Sequence, residues 1–160
     1  MKISLHVVAG LLAVLVAPAA GQAPPQLAPA LAPFSVVINK GIPAIPARLS
    51  GKPGDPKDGE RVVTERQLGN CLSCHEISVL RREEFHGEIG PSLDGVGQRW
   101  DAATLRMIVV NAKKVFGDET VMPAFYRVDG LNRVRPEFAG KPILTAQQVE
   151  DVVAFLATLK

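Results

Sequence analysis

Cysteine is scarce in this chain: Cys71 and Cys74 are the only two among 160 residues. A structural zinc site takes four ligands, usually from two separated Cys/His pairs, so the missing second pair excludes one. A charge excess is missing as well. Lys and Arg number 18 against 16 Asp and Glu, a formal balance of +2 that excludes a broad nucleic-acid footprint. No internal repeat is visible. A membrane-spanning run is also lacking, because the apolar stretch from Leu5 to Val16 is about a dozen residues where a span needs ~20. With Lys2 before it and Ala17-Pro18-Ala19-Ala20 after it, that stretch reads instead as a secretory signal peptide over residues 1–20, with no membrane anchor. Its removal takes Lys2 with it, and the balance falls from +2 to +1.

The two cysteines stand in Cys71-Leu72-Ser73-Cys74-His75, the C-x-x-C-H spacing that covalent attachment of a c-type haem requires. Both thiols can add to the vinyl groups of one porphyrin, and His75 is placed to reach the iron from the same side. A thioredoxin-like redox motif would follow a strand in a βαβ unit, whereas Asp58 to Gly69 read as a helix. Haem c is attached after export in bacteria, so motif and signal agree on a periplasmic protein. With both cysteines joined to the porphyrin, no disulfide is expected.

Fast one-electron transfer asks for a second axial ligand. Outside the signal the candidates are Met107, Met122 and His86. Met107 falls within an amphipathic helical pattern, where packing accounts for it. His86 lies in a polar stretch after Glu83-Glu84-Phe85 and reads as solvated, with distal ligation the alternative. Met122 precedes Pro123, which forces extended backbone able to hold a thioether against a flat ring, and it is the expected ligand. Gly90-Pro91-Ser92-Leu93 reads as a turn, and the free carbonyl of Pro91 can accept the Nδ1 proton of His75, leaving Nε2 for iron. Trp100 and Tyr126 are candidates for hydrogen bonds to the haem propionates, with aromatic packing the alternative.

Residues 21–56 are rich in Pro, Gly and Ala and read as an extended arm, with a short strand over Phe34 to Asn39. Residues 57–160 form one domain. Asp58 is the expected N-cap of a first helix, stopped by Gly69 and Asn70 before Cys71. Asp101 caps a second, with Leu105, Ile108, Val109 and Ala112 on one face and Lys113 and Lys114 at its C-terminal end. Thr145 and Gln148 form the capping box of a third, whose stripe is Val149, Val152, Val153, Leu156 and Leu159. Three such helices around one haem make a small all-α domain. Within the long excursion from Arg127 to Pro142, Arg127, Arg133, Arg135 and Lys141 read either as a docking surface or as solvated loop cations. Arg81-Arg82 beside Glu83-Glu84 reads as a solvated face.

The haem motif, Gly90-Pro91-Ser92-Leu93 and Val121-Met122-Pro123, in this order, resemble class I cytochrome c. More narrowly, Gly54-Asp55-Pro56, Gln67-Leu68-Gly69-Asn70, Gly130-Leu131-Asn132-Arg133-Val134 and the run from Gly140 to Leu156 resemble the small cytochrome subunits of the SoxAX complexes of bacterial sulfur oxidation. The resemblance implies a class I cytochrome c-like fold wrapped around one covalent haem c with His/Met ligation. It implies three partners: a larger haem-bearing catalytic subunit (SoxA-like), a sulfur carrier protein (SoxYZ-like) and a small cytochrome c acceptor. The assembled pair would be an L-cysteine S-thiosulfotransferase, with the present chain relaying electrons and not catalytic alone. A free-standing periplasmic cytochrome shuttle is the alternative.

Overall fold

The computed structural model describes residues 31–160, so the expected signal, residues 1–20, lies outside the described residues. The chain enters through a two-stranded antiparallel ribbon, β1 (Val37–Asn39) and β2 (Ile42–Ala44), in the register Val37 to Ala44 and Asn39 to Ile42. Lys40 and Gly41 between them both have positive φ, 51° and 82°, the backbone twist a two-residue hairpin turn needs. The expected strand over Phe34 to Asn39 is thus present over its last three residues. The ribbon lies in the arm, outside the 57–160 segment for which an all-α domain is expected.

Helix α1 (Pro56–Thr64) follows. Its N-cap is Asp55, whose carboxylate accepts the Lys57 N–H at 2.8 Å, and not Asp58, which sits in the first turn. The reason is Pro56: a proline without an N–H and with φ preset for helix suits the first helical position, and this starts the helix one turn earlier. Next come a 3₁₀ turn at Cys71–Ser73, another at Ser78–Leu80, and the single turn α2 (Val96–Arg99). Helix α3 (Ala102–Asn111) is capped by Asp101, which accepts from Thr104 N–H at 2.8 Å. It stops at Asn111, and a short α4 (Lys113–Phe116) begins after Ala112. Lys113 and Lys114 therefore open α4 and do not close α3, and the Lys113 ammonium is taken up by the Thr120 carbonyl. Helix α5 (Ala146–Leu156) carries the full capping box of Thr145 and Gln148.

The central packing is the crossing of α1 with α5. It depends on Gly59, where a Cβ would stand 2.0 Å from the Asp151 carbonyl oxygen and 2.7 Å from Phe155 Cβ. Around it Val62, Val63, Val149, Val152, Val153, Phe155 and Leu156 are buried, each apolar side chain contributing about 1.5–3 kcal/mol by leaving water. Helix α3 adds Leu105, Met107, Val109 and Val110. The described part of the arm is bound to this body. Ile45 and Leu49 enter the core, Ile45 N–H donates to Ala103 O at 3.0 Å, and Ala32 N–H donates to the Tyr126 hydroxyl at 2.8 Å.

Among the described residues one ion pair is dry. The Arg106 guanidinium meets the Glu150 carboxylate through two bonds of 2.8 Å, with side chains only 5% and 2% exposed. Its remaining capacity goes to the arm: Arg106 donates to Ile45 O at 2.6 Å, and Glu150 accepts from Leu49 N–H at 2.9 Å. A fully hydrogen-bonded pair of this kind is tolerated in a core, whereas either partner alone would be an uncompensated charge.

Candidate functional site

Asn70 has left-handed backbone, φ 47° and ψ 41°, and turns the chain out of the α1 region into the Cys71–Ser73 turn. There Cys74 N–H and His75 N–H both donate to Cys71 O, at 3.1 and 3.0 Å, so two thiols and an imidazole share one turn. The thiols are free and half-buried. Burial pushes the Cys71 thiol up to about 12, with the neighbouring Cys74 adding to the rise against a backbone hydrogen bond that lowers it.

His75 is seated by the loop that follows. Its Nδ1 lies 2.6 Å from Pro91 O and donates to it, which leaves the Nε2 lone pair free. Gly90 makes this approach possible: a Cβ there would stand 2.3 Å from His75 Cε1 and 2.6 Å from Nδ1. Gly90 N–H donates to Cys74 O at 2.7 Å and Leu93 N–H to Glu76 O at 2.9 Å, so the two segments run laced together.

The structure brings Cys71, Cys74, His75 and Pro91 together in this way, while Met122 comes from a separate segment. Its side chain is half-buried against the core. Lys113 on Thr120 O holds the chain before it, and Phe125 and Tyr126 N–H, bonded to Val109 O and Val110 O at 3.2 and 3.3 Å, hold the chain after it. His86 has neither ring nitrogen to spare: Nδ1 accepts from Ile77 N–H and Nε2 faces Leu80 O, both at 3.2 Å. Met107 is 2% exposed within the core. Tyr126 is buried, its hydroxyl taking the arm's Ala32 N–H, and Trp100 stands edge-on to Phe116 at 6.4 Å. In the excursion, Arg135 pairs with Glu137 and lies over Phe138, and Arg127 reaches Gly130 O at 3.4 Å.

The donor set fits a covalent haem. It offers two thiols for thioethers, an imidazole with a free Nε2, and a thioether on a braced segment. Leu68, Leu93, Trp100 and Val115 add apolar side chains that pack on the core while staying partly exposed. No cluster of three His, Cys, Asp or Glu side chains suited to a bare metal ion occurs among the described residues. What sequence reasoning missed is the carboxylate of Asp94, which binds Ser78, and Arg99, which binds the carbonyls of Ser92 and Asp94. No periodicity marks such loop pairs. The exposed Arg82, Glu83 and Glu84 border a cavity of about 570 Å³ lined also by Arg66, Asn70 and Phe85.

No helix among the described residues is long and apolar enough to cross a membrane. No curated protein matches the chain. A chain in the crystal structure of SoxXA from P. pantotrophus is 53% identical, with a TM-score of 0.70 over 78% of the present chain and 94% of that one. The family model described as cytochrome c matches residues 56–160, the segment that holds the C-x-x-C-H turn, its carbonyl-bound histidine and the braced methionine. The chain therefore belongs to the cytochrome c family, whose prosthetic group is a covalent haem c.

Proposed function

We propose that this chain is the SoxX-like cytochrome subunit of a periplasmic SoxAX complex, which receives electrons and passes them on. The observation that carries this is the 53% identity to a chain of SoxXA extending over 94% of that chain. In this reading Cys71 and Cys74 would hold the haem through thioethers, and His75 Nε2 and the Met122 sulfur would ligate its iron. Bound haem c supplies one reversible electron at iron, and the thioether ligand favours a higher potential than a second imidazole. The chain's own residues do the rest: Pro91 O orients the imidazole, and the bonds of Lys113, Phe125 and Tyr126 keep Met122 in place, so little rearrangement accompanies each electron.

The sulfur chemistry belongs to a larger haem-bearing, SoxA-like partner. Joining thiosulfate to a thiol of a SoxYZ-like carrier as a disulfide-bonded thiosulfonate releases two electrons and the thiol proton. This subunit takes those electrons singly and delivers them to a small cytochrome c. The present chain does not activate sulfur, because its only thiols are those of the C-x-x-C-H turn and both are taken up in the thioethers. An export signal over 1–20, an arm over 21–56 and a haem domain over 57–160 belong to the same reading.

The test is affinity purification of the tagged mature chain from its native periplasm, with mass spectrometry and haem staining. A stoichiometric larger haem protein is the expected companion. Arrival as a lone monomer with an intact His/Met spectrum makes the free shuttle the better account and removes the sulfur-oxidation role.

A further inference from the structure

The segment Cys74 to Ser78 and the segment Gly90 to Asp94 run side by side and are joined at four places. Gly90 N–H meets Cys74 O at 2.7 Å, His75 Nδ1 meets Pro91 O at 2.6 Å, and Leu93 N–H meets Glu76 O at 2.9 Å. The fourth junction is made by a carboxylate: Asp94 accepts the Ser78 N–H at 2.9 Å through Oδ1 and the Ser78 hydroxyl at 2.5 Å through Oδ2. The second strand of this lacing is stiffened from outside. Arg99 donates to Asp94 O at 2.6 Å and to Ser92 O at 3.0 Å, and Asp94 N–H donates to Ser92 Oγ at 3.2 Å.

We propose that Asp94 and Ser78 are positioning residues for the axial imidazole: by closing the last junction they hold Pro91 O on His75 Nδ1 and so set the donor strength of Nε2. This rests on His75 being the iron ligand. A carbonyl held close to Nδ1–H gives the ring more imidazolate character, which favours oxidised iron and lowers the reduction potential. The junctions on either side of the His75 bond consist of main-chain groups, to which the Ser92 hydroxyl adds a long bond to Glu76 O at 3.5 Å. Apart from His75 itself, Ser78 and Asp94 supply the close side-chain bonds that govern how far the second segment can peel away. The hydroxyl and amide of Ser78 also hold the Asp94 carboxyl below the ordinary carboxylate range, so the junction is charged at neutral pH.

The experiment compares the haem-loaded wild type with Asp94→Ala, Asp94→Asn, Ser78→Ala and, as a control remote from the lacing, Thr145→Ala. Two quantities are read, the hydrogen-exchange rate of the His75 Nδ1 proton by paramagnetic NMR and the midpoint potential. Asp94→Ala removes both bonds to Ser78 and is expected to speed the exchange by about fivefold or more, fivefold being the factor that loss of one ordinary hydrogen bond implies, and to raise the potential. Ser78→Ala keeps the amide bond to Asp94 and should move both quantities in the same direction by less. Asp94→Asn retains an acceptor for Ser78 N–H and should restore most of the wild-type exchange rate. Unchanged exchange and potential in both alanine variants overturn the proposal, and so does an equal shift in Thr145→Ala, which would mark a general loss of stability. A wild-type spectrum in which no His75 ring signal is paramagnetically shifted overturns the ligand assignment itself, and is recognised before any variant is made.

Discussion

Around α1, α3 and α5 the chain is closed by apolar contact and one dry ion pair, whereas from Cys74 to Arg99 it is closed largely by hydrogen bonds between exposed groups. The helical side gains its stability from removing area from water, and a change there is felt by the whole domain. Apart from the buried Ile77, Leu80 and Val96, the laced side gains less of that, since water competes for its exposed bonds. What it provides is direction: a particular carbonyl on a particular ring nitrogen. The comparison teaches that this domain keeps its stability and its tuning in different places, so substitutions should separate the two.

The largest effect is expected from Glu150→Ala, which leaves Arg106 buried at 5% exposure with no countercharge and frees Leu49 N–H. Chemical denaturation of the haem protein should show a loss of about 3–5 kcal/mol. Proteolysis near Ile45 to Leu49 should accelerate with it. A Glu150→Ala variant as stable as wild type would remove the ion pair from the account of the helical side.

A pair of glycine substitutions sharpens the contrast. Gly59→Ala places a methyl 2.0 Å from the Asp151 carbonyl oxygen, so the helix crossing must open, at about 1–3 kcal/mol. That outweighs the ~1 kcal/mol that alanine normally gains over glycine inside a helix. Gly90→Ala drives a methyl into the His75 ring instead, and should change the haem absorption and the potential more than the denaturation midpoint. Equal effects of both substitutions on both readouts would dissolve the distinction between the two sides.

The smallest effect should come from the exposed cap of α3. Asp101→Ala removes the acceptor for Thr104 N–H and is expected to cost about 1 kcal/mol at neutral pH. The Asp101 carboxyl is held below its ordinary value, first by the Thr104 backbone hydrogen bond. A depressed folded-state pKa means that its contribution is present above the unfolded value, near ~4, and is lost as pH falls below that. The gap between wild type and Asp101→Ala should therefore shrink as acid is added, and a gap that widens in acid would contradict the capping role.

Much of the site could be read without coordinates because it depends on short spacing. C-x-x-C-H places two thiols and an imidazole on one turn in any backbone that binds the porphyrin, and Met122 was singled out by the proline beside it. The Pro91 carbonyl followed from the chemistry of an imidazole that must present Nε2. Helix α5 was equally plain, since a capping box and an unbroken apolar stripe agree. Reading failed where a choice depended on context. Asp55 and Asp58 are both good caps, and Pro56 between them decides. The end of α3 at Asn111 is invisible in a pattern that continues through Ala112. His86 reads as solvated until Ile77 and Leu80 close on its ring.

The sequence by itself determined the cofactor class and the helical body, because covalent attachment, capping and amphipathic spacing act over a few residues. Only the tertiary structure decided that Arg106 and Glu150, 44 positions apart, bind the arm to the core, and that Ser78 and Asp94 close the loop carrying Pro91. The physical reason is that these bonds depend on which polar groups are brought together, and in the first case dried, by packing, and no local pattern encodes that outcome.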